Sequence, residues 1–175
     1  MASSLYDITV TPYRQIVESI AGILDKGAEQ SQQLGIDLDE LVNFSLYDDM
    51  LPFSFQVFAV GYHSVGALKA VESGVFTRPA SLPENDYAGL QSLMAETATT
   101  LASYSREQVD AMAGGDVMFS AGEMELPFTT EGFITSFSLP NFYFHATTAY
   151  DILRLKGVPI GKLDFLGRMQ LKAGV

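Results

Sequence analysis

Apolar positions recur at helical spacing in several long stretches, so the chain reads as a set of helices packed on one another. From Tyr13 the apolar positions continue through Ile16, Ile20 and Ile23 to Gly27. Thr11-Pro12 supplies an N-cap followed by proline at the first helical position, and Gly35 supplies a stop, which predicts a first helix ending near Leu34. The polar connection from Ile36 to Leu51 has room for one short helical turn. Pro52 opens a second helix, apolar on most faces from Phe53 to Val71 and ending near Ser73-Gly74. Thr77 to Asn85, with Pro79 and Pro83, reads as a loop. A third helix follows from Asp86, with Tyr87, Leu90, Met94, Ala98 and Leu101 at the expected spacing, and Ser105-Arg106-Glu107-Gln108 starts a further turn.

Between Gly114 and Thr130 the pattern changes to two short runs, Val117-Met118-Phe119 and Met124 to Phe128, around Ser120-Ala121-Gly122-Glu123. That is a hairpin around a glycine-containing turn, expected to lie across one end of the helices. Helical spacing returns with Phe133, Ile134 and Phe137, and Pro140 predicts either a kink or a restart. The last helix, from Asn141 to about Lys156, is aromatic or aliphatic nearly all round; Gly157 and Pro159 end it, and the tail has room for one more turn. The fold class expected is therefore all-α with a short β-hairpin before the last helix, in one domain spanning residues 1–175.

Composition narrows the functions. The net charge is −11, and the ten basic residues are scattered, so neither a nucleic acid nor an anionic membrane has a basic patch to bind. No cysteine is present, which removes disulfides, thiolate ligands and a cysteine nucleophile together. No segment reaches the roughly 20 apolar residues of a spanning helix, and neither terminal segment matches a targeting signal; cytoplasm is the expected location. The aspartates Asp37, Asp39, Asp48 and Asp49 invite a metal or acid/base role, but lie in a polar stretch that favours caps and solvated charges.

The best candidate chemistry lies on the last helix. Asn141, His145 and Thr148 fall at i, i+4 and i+7, so one face presents an amide, an imidazole and a hydroxyl in a column. On the second helix Gln56 and His63 also share a face, and the small residues Gly61 and Gly66 would allow close approach to it. His145, His63 and Asn141 are the candidate catalytic residues; Gln56, Tyr62 and Thr148 are the candidate substrate-binding residues. Competing roles are a core histidine, a helix-start asparagine and a back-bonding threonine.

The segments Leu139 to His145, Thr147 to Arg154, Gly157-Val158-Pro159-Ile160-Gly161-Lys162 and Asp164-Phe165-Leu166-Gly167 resemble the C-terminal signature of an uncharacterised domain family related to the DinB/YfiT-like metalloenzymes. Ile23 to Ala28 and Asp49-Met50-Leu51-Pro52 extend the resemblance over most of the chain. It implies a four-helix bundle with up-down-down-up connections and a central pocket. In DinB-like proteins three histidines hold a metal, one on the second helix and two at i, i+4 on the last. The resemblance places His145 on one of that pair, Asn141 on the other and His63 on the second-helix position. With only two histidines in the chain, a three-histidine site is incomplete and no metal ligands are assigned, although a divalent metal stays open.

Three functions are consistent with these residues. In the first, a metal-independent acid/base enzyme, an isomerase, lyase or cyclase, uses neutral imidazoles on a small apolar or aromatic molecule. The second is a metal-dependent hydrolase or transferase of the DinB-like kind. The third is a non-catalytic binding or dimerisation module, and an exposed apolar helix face would make a homodimer.

Overall fold

A computed structural model of the chain describes residues 3–79, 81 and 84–172. Pro83, part of the expected loop, and the terminal segments Met1-Ala2 and Ala173-Gly174-Val175 lie outside the described residues. Among the described residues, ten α-helical pieces, three strands and one π-helical run follow in order. The long helices are α2 (Val10–Leu34), α4 (Phe53–Tyr62) continued by α5 (Val65–Ser73), α6 (Tyr87–Ser103) and α9 (Leu139–Leu155). The short ones are α1 (Leu5–Ile8), α3 (Leu38–Val42), α7 (Arg106–Asp110), α8 (Thr130–Gly132) and α10 (Lys162–Leu166). Helix α2 packs on α6, α6 on α4, α4 on α9 and α9 back on α2, which closes a ring of four around the core.

The helix ends follow ordinary capping chemistry. Gly35 and Gly74, both with positive φ, end α2 and α5. The Asp86 carboxylate accepts from the Gly89 amide at the start of α6, and Asp37 caps α3. Helix α2 begins at Val10, earlier than Thr11-Pro12 predicts, because Pro12 sits in the first turn, where its missing N–H has no intrahelical partner to lose. Its buried face, including Tyr13, Ile16, Ile20, Ile23, Leu24 and Gly27, follows the sequence periodicity. Tyr13 meets Phe142 of α9 edge-on at 4.9 Å between ring centroids, and Phe53 stacks on Tyr87 at 6.1 Å.

Two expectations are corrected. The second helix is not continuous from Phe53 to Val71: it breaks at His63 and Ser64 between α4 and α5. The hairpin is part of a three-stranded sheet. Strands β2 (Asp116–Ala121) and β3 (Met124–Thr129) pair antiparallel as expected, with Gly122 at positive φ in the turn, but β1 (Val75–Thr77) adds a parallel strand on the other side of β2. A three-residue strand is too short for its alternation to register in sequence. Pro127 sits on the edge strand β3, where a missing N–H is tolerated.

The helix does not restart at Pro140. The chain widens into π-helix over Phe133–Ser138, where the Leu139 N–H donates five residues back to Ile134 O, and then continues as α9. Proline cannot donate and crowds the carbonyl four residues before it; a wider turn just upstream removes that conflict. Helix α10 and the segment after it are tied to α2, where Gln15 Nε2 donates to Leu166 O at 2.7 Å and Lys26 pairs with Asp164. Among the described residues no helix is long and apolar enough to cross a membrane.

Gly27 is the tightest helix contact. Tyr87, buried in the α2–α6 interface, donates its hydroxyl to Leu24 O at 2.9 Å, and a Cβ at Gly27 would overlap that hydroxyl. Gly27→Ala should destabilise the protein by about 1–3 kcal/mol through overpacking. The control is Gly22→Ala, five residues earlier on the exposed face with nothing within 4 Å, which should be stabilising by about 0.5–1 kcal/mol. Urea denaturation of the two variants against wild type measures both.

Candidate functional site

Helices α4 and α9, the π-helical run and the sheet line a cavity of about 670 Å³. Its wall is aromatic: Phe55, Phe58 and Tyr62 from α4, Phe76 from β1, Phe119 from β2 and Phe137 from the π-helical run. Into it come His63, Asn141 and His145, with Arg78 among the residues at its lining. The sequence pairing of His63 with His145 is thus realised in space, their rings nearly parallel at 15° with centroids 5.8 Å apart.

Each imidazole is held differently. His145 Nδ1 lies 2.7 Å from Gln56 Oε1, and Gln56 Nε2 donates to Leu51 O at 2.7 Å. Only the amide nitrogen of Gln56 can serve a carbonyl, so its oxygen faces His145 and must accept; Nδ1 of His145 therefore carries the proton and donates. This leaves the unprotonated Nε2 lone pair for the cavity. Gln56, 2 % exposed, acts from behind His145 instead of lining the cavity.

His63 terminates α4, and the helix break leaves its carbonyl without a helical partner. Ser138 in the π-helical run fills that place: its hydroxyl donates to His63 O at 2.6 Å and lies 2.7 Å from the Tyr13 hydroxyl. The Ser138 proton being used on His63, Tyr13 must donate to Ser138. The His63 ring is clamped by Tyr62, Phe76 and Phe137 at centroid distances of 5.3, 5.7 and 5.8 Å. Its Nδ1 is buried without a hydrogen-bond partner. A buried orphan N–H is rarer and costlier than an orphan acceptor, so the favoured tautomer keeps Nδ1 bare and places the proton on Nε2.

The aromatic wall also sets the charge. Burial pushes His145 down to about 4 from 6.5, and burial together with repulsion from His145 pushes His63 to about 3. Both imidazoles are neutral at pH 7.

The remaining candidates divide. The Asn141 amide nitrogen donates to Phe137 O at 2.7 Å, so the residue is neither a helix start nor wholly free: one N–H closes the backbone at the π-to-α junction while the side chain lines the cavity. Tyr62 contributes its ring; its hydroxyl donates to Thr77 O on β1. Thr148 is not among the lining residues. Its hydroxyl donates back to Phe144 O at 2.8 Å, and it lies about 10 Å farther along the axis than Asn141, where it borders a separate groove with Leu46, Met50 and Tyr143. The face-sharing argument for Thr148 fixes an angle around the helix but not a depth. Phe55 and Phe58 share a face with Tyr62 at i, i+3 and i+7, a signal present in the sequence; Phe76 and Arg78 depend on β1 and carried none. Asp48 and Asp49 are exposed, and Asp37 serves as a cap.

The donor set does not fit the metal site that the resemblance implies. Among the described residues no three histidine or carboxylate side chains converge, and the cavity lining holds two imidazoles and an amide but no carboxylate.

A mostly helical fold with a small three-stranded sheet is that of a DinB-like protein. The chain is similar to the crystal structure of a DinB family member protein from Shewanella denitrificans, at 29 % identity with a TM-score of 0.77, the match covering 97 % of this chain and 95 % of that one. Residues 5–166 match the family model of a domain of unknown function, DUF1993, and the chain belongs to that family. No curated protein matches it.

Neutral buried histidines leave a pH signature. Unfolded histidines bind protons below about 6.5 while the folded ones resist until about 4 and 3, so the unfolded state holds more protons in that interval. Stability should be level above pH 6.5 and fall steadily as pH drops toward 4. In the double variant His63→Gln/His145→Gln the slope between pH 6.5 and 4.5 should largely vanish, whatever its absolute stability. The exposed Asp7, held down to about 2 chiefly by its hydrogen bond from Arg106, acts below this window. Urea midpoints across pH would show it; an unchanged slope in the variant would contradict neutral burial.

Proposed function

We propose that the cavity binds a small apolar or aromatic molecule and moves a proton on it without a metal, in the manner of an isomerase, lyase or cyclase. We also take the four long helices to run up-down-down-up, as in the family resemblance. The observation that carries the functional reading is the chain Leu51 O–Gln56–His145, which fixes the His145 tautomer with its Nε2 lone pair free for the cavity.

His145 Nε2 is then the base and His63 Nε2–H the donor that polarises an oxygen as charge develops. Their rings lie close enough for one small molecule to meet both. Burial makes His145 a weak base, and its conjugate acid correspondingly returns a proton readily. That combination suits a step in which the same group removes a proton and gives it back, on a substrate whose proton is already acidified by a neighbouring carbonyl. The Asn141 carbonyl oxygen and remaining N–H supply an orienting amide.

A metal-dependent hydrolase or transferase remains the competing reading, supported by one feature: a histidine oriented through Nδ1 by a hydrogen-bond acceptor is also how metal-binding histidines are prepared. It needs a further ligand, and no step is derived through it. Near-stoichiometric metal in purified protein, lost in His145→Ala, would favour it over the proton-transfer reading. A non-catalytic binding module predicts ligand affinity without turnover.

The tautomer is testable without a substrate. In ¹⁵N-resolved spectra at pH 7, His145 should appear as the Nδ1–H form, and Gln56→Leu should release it to a mixture of tautomers; a wild-type Nε2–H form would overturn the assignment. In a screen of carbonyl compounds with apolar or aromatic bodies, His145→Ala should lower any turnover by about 10²–10⁴ while the fold survives, and Gln56→Leu should lower it less. Turnover unaffected by His145→Ala would refute the proposal.

A further inference from the structure

Among the described residues, the cavity lining carries one formal charge. It includes no aspartate, glutamate or lysine, and both histidines are neutral at pH 7, which leaves Arg78. In a chain of net charge −11, a lone arginine beside an aromatic cavity makes one spot where an anion is attracted instead of repelled. Arg78 is exposed and takes part in none of the salt bridges among the described residues.

Its backbone is nonetheless fixed. Arg78 follows β1 directly, and its N–H donates to Ser120 O of β2 at 3.2 Å, which prolongs the parallel pairing. Pro79 restricts it to extended backbone as well. The same pairing that carries Phe76 into the cavity wall therefore carries Arg78 to the lining two residues later, where alternation along a strand keeps both on one face.

We propose that Arg78 makes this cavity a receptor for small carboxylic acids with an aromatic or apolar body, the guanidinium pairing the carboxylate while the body lies among Phe55, Phe58 and Phe137. The inference rests on the cavity being a small-molecule site and adds the charged end of the molecule and the residue that selects it. The planar fork of arginine matches a carboxylate in two parallel hydrogen bonds, and a single cation matches a single negative charge.

The test is calorimetric titration of full-length protein at pH 7 with three acid/amide pairs, benzoate, 3-phenylpropanoate and cyclohexanecarboxylate against their primary amides. Wild type should bind at least one acid about three- to tenfold tighter than its amide, because the pairing is partly exposed to solvent. Arg78→Gln should remove that preference and leave the amide affinity unchanged, and added salt should weaken the acid alone. Equal affinity for acid and amide in wild type, or a preference that survives Arg78→Gln, would overturn the assignment of Arg78 and leave the small-molecule cavity standing. Binding of none of the six compounds would overturn both.

Discussion

The site depends on how one carbonyl is satisfied. Breaking the second helix at His63 leaves the His63 carbonyl outside the α-helical ladder in the protein interior, where an unpaired backbone acceptor is costly. The Ser138 hydroxyl removes that cost, and Tyr13 in turn supplies Ser138. Three elements distant in sequence, α2, the end of α4 and the π-helical run, are joined through two hydroxyls that are otherwise surrounded by apolar side chains. The break and the bridge are one feature: without the break Ser138 has no free carbonyl to serve, and without Ser138 the break exposes backbone polarity to the core.

The same arrangement explains why a π-helical run lies beside the cavity. Pro140 forbids a regular helical hydrogen bond at the start of α9, and the widened turns before it rotate Phe133, Phe137 and Ser138 relative to the positions a straight helix would give them. Phe133 and Phe137 stack at 5.6 Å, and Phe137 also meets Phe76, Phe119 and His63. The Asn141 amide then closes Phe137 O where the two helical forms meet. A proline that local sequence rules treat as a breaker is accommodated by a change of helical pitch, and the changed pitch shapes the cavity wall.

What the sequence made legible were features decided within a few residues of themselves. The α2 stripe ending at Gly35, the Asp86 cap, the Gly122 turn and the i, i+4 pair Asn141 and His145 all follow from local spacing and local backbone demands. The break at His63, the strand β1 and the depth of Thr148 are decided by partners 40 or more residues away or by how far another element reaches along α9. β1 takes its hydrogen bonds from β2 across 43 residues of sequence, so its three residues carry no pattern of their own, and with it went Phe76 and Arg78. Gly61 and Gly66 weaken the helix around His63 without saying which peptide gives way; the position of Ser138 settles that.

The histidines show how one aromatic wall fixes several properties together. Packed rings exclude water, and that burial holds both imidazoles neutral. Neutral imidazoles have tautomers, so the hydrogen bond that Gln56 accepts gains chemical meaning: it decides which nitrogen of His145 is nucleophilic. With two charged imidazoles the same hydrogen bond would only align a ring, and an added cation at Arg78 would meet like charges across the cavity. Aromatic packing thus comes first in the causal order, neutrality follows from it, and both the proposed acid/base roles of His63 and His145 and the proposed selectivity for a single negative charge depend on neutrality.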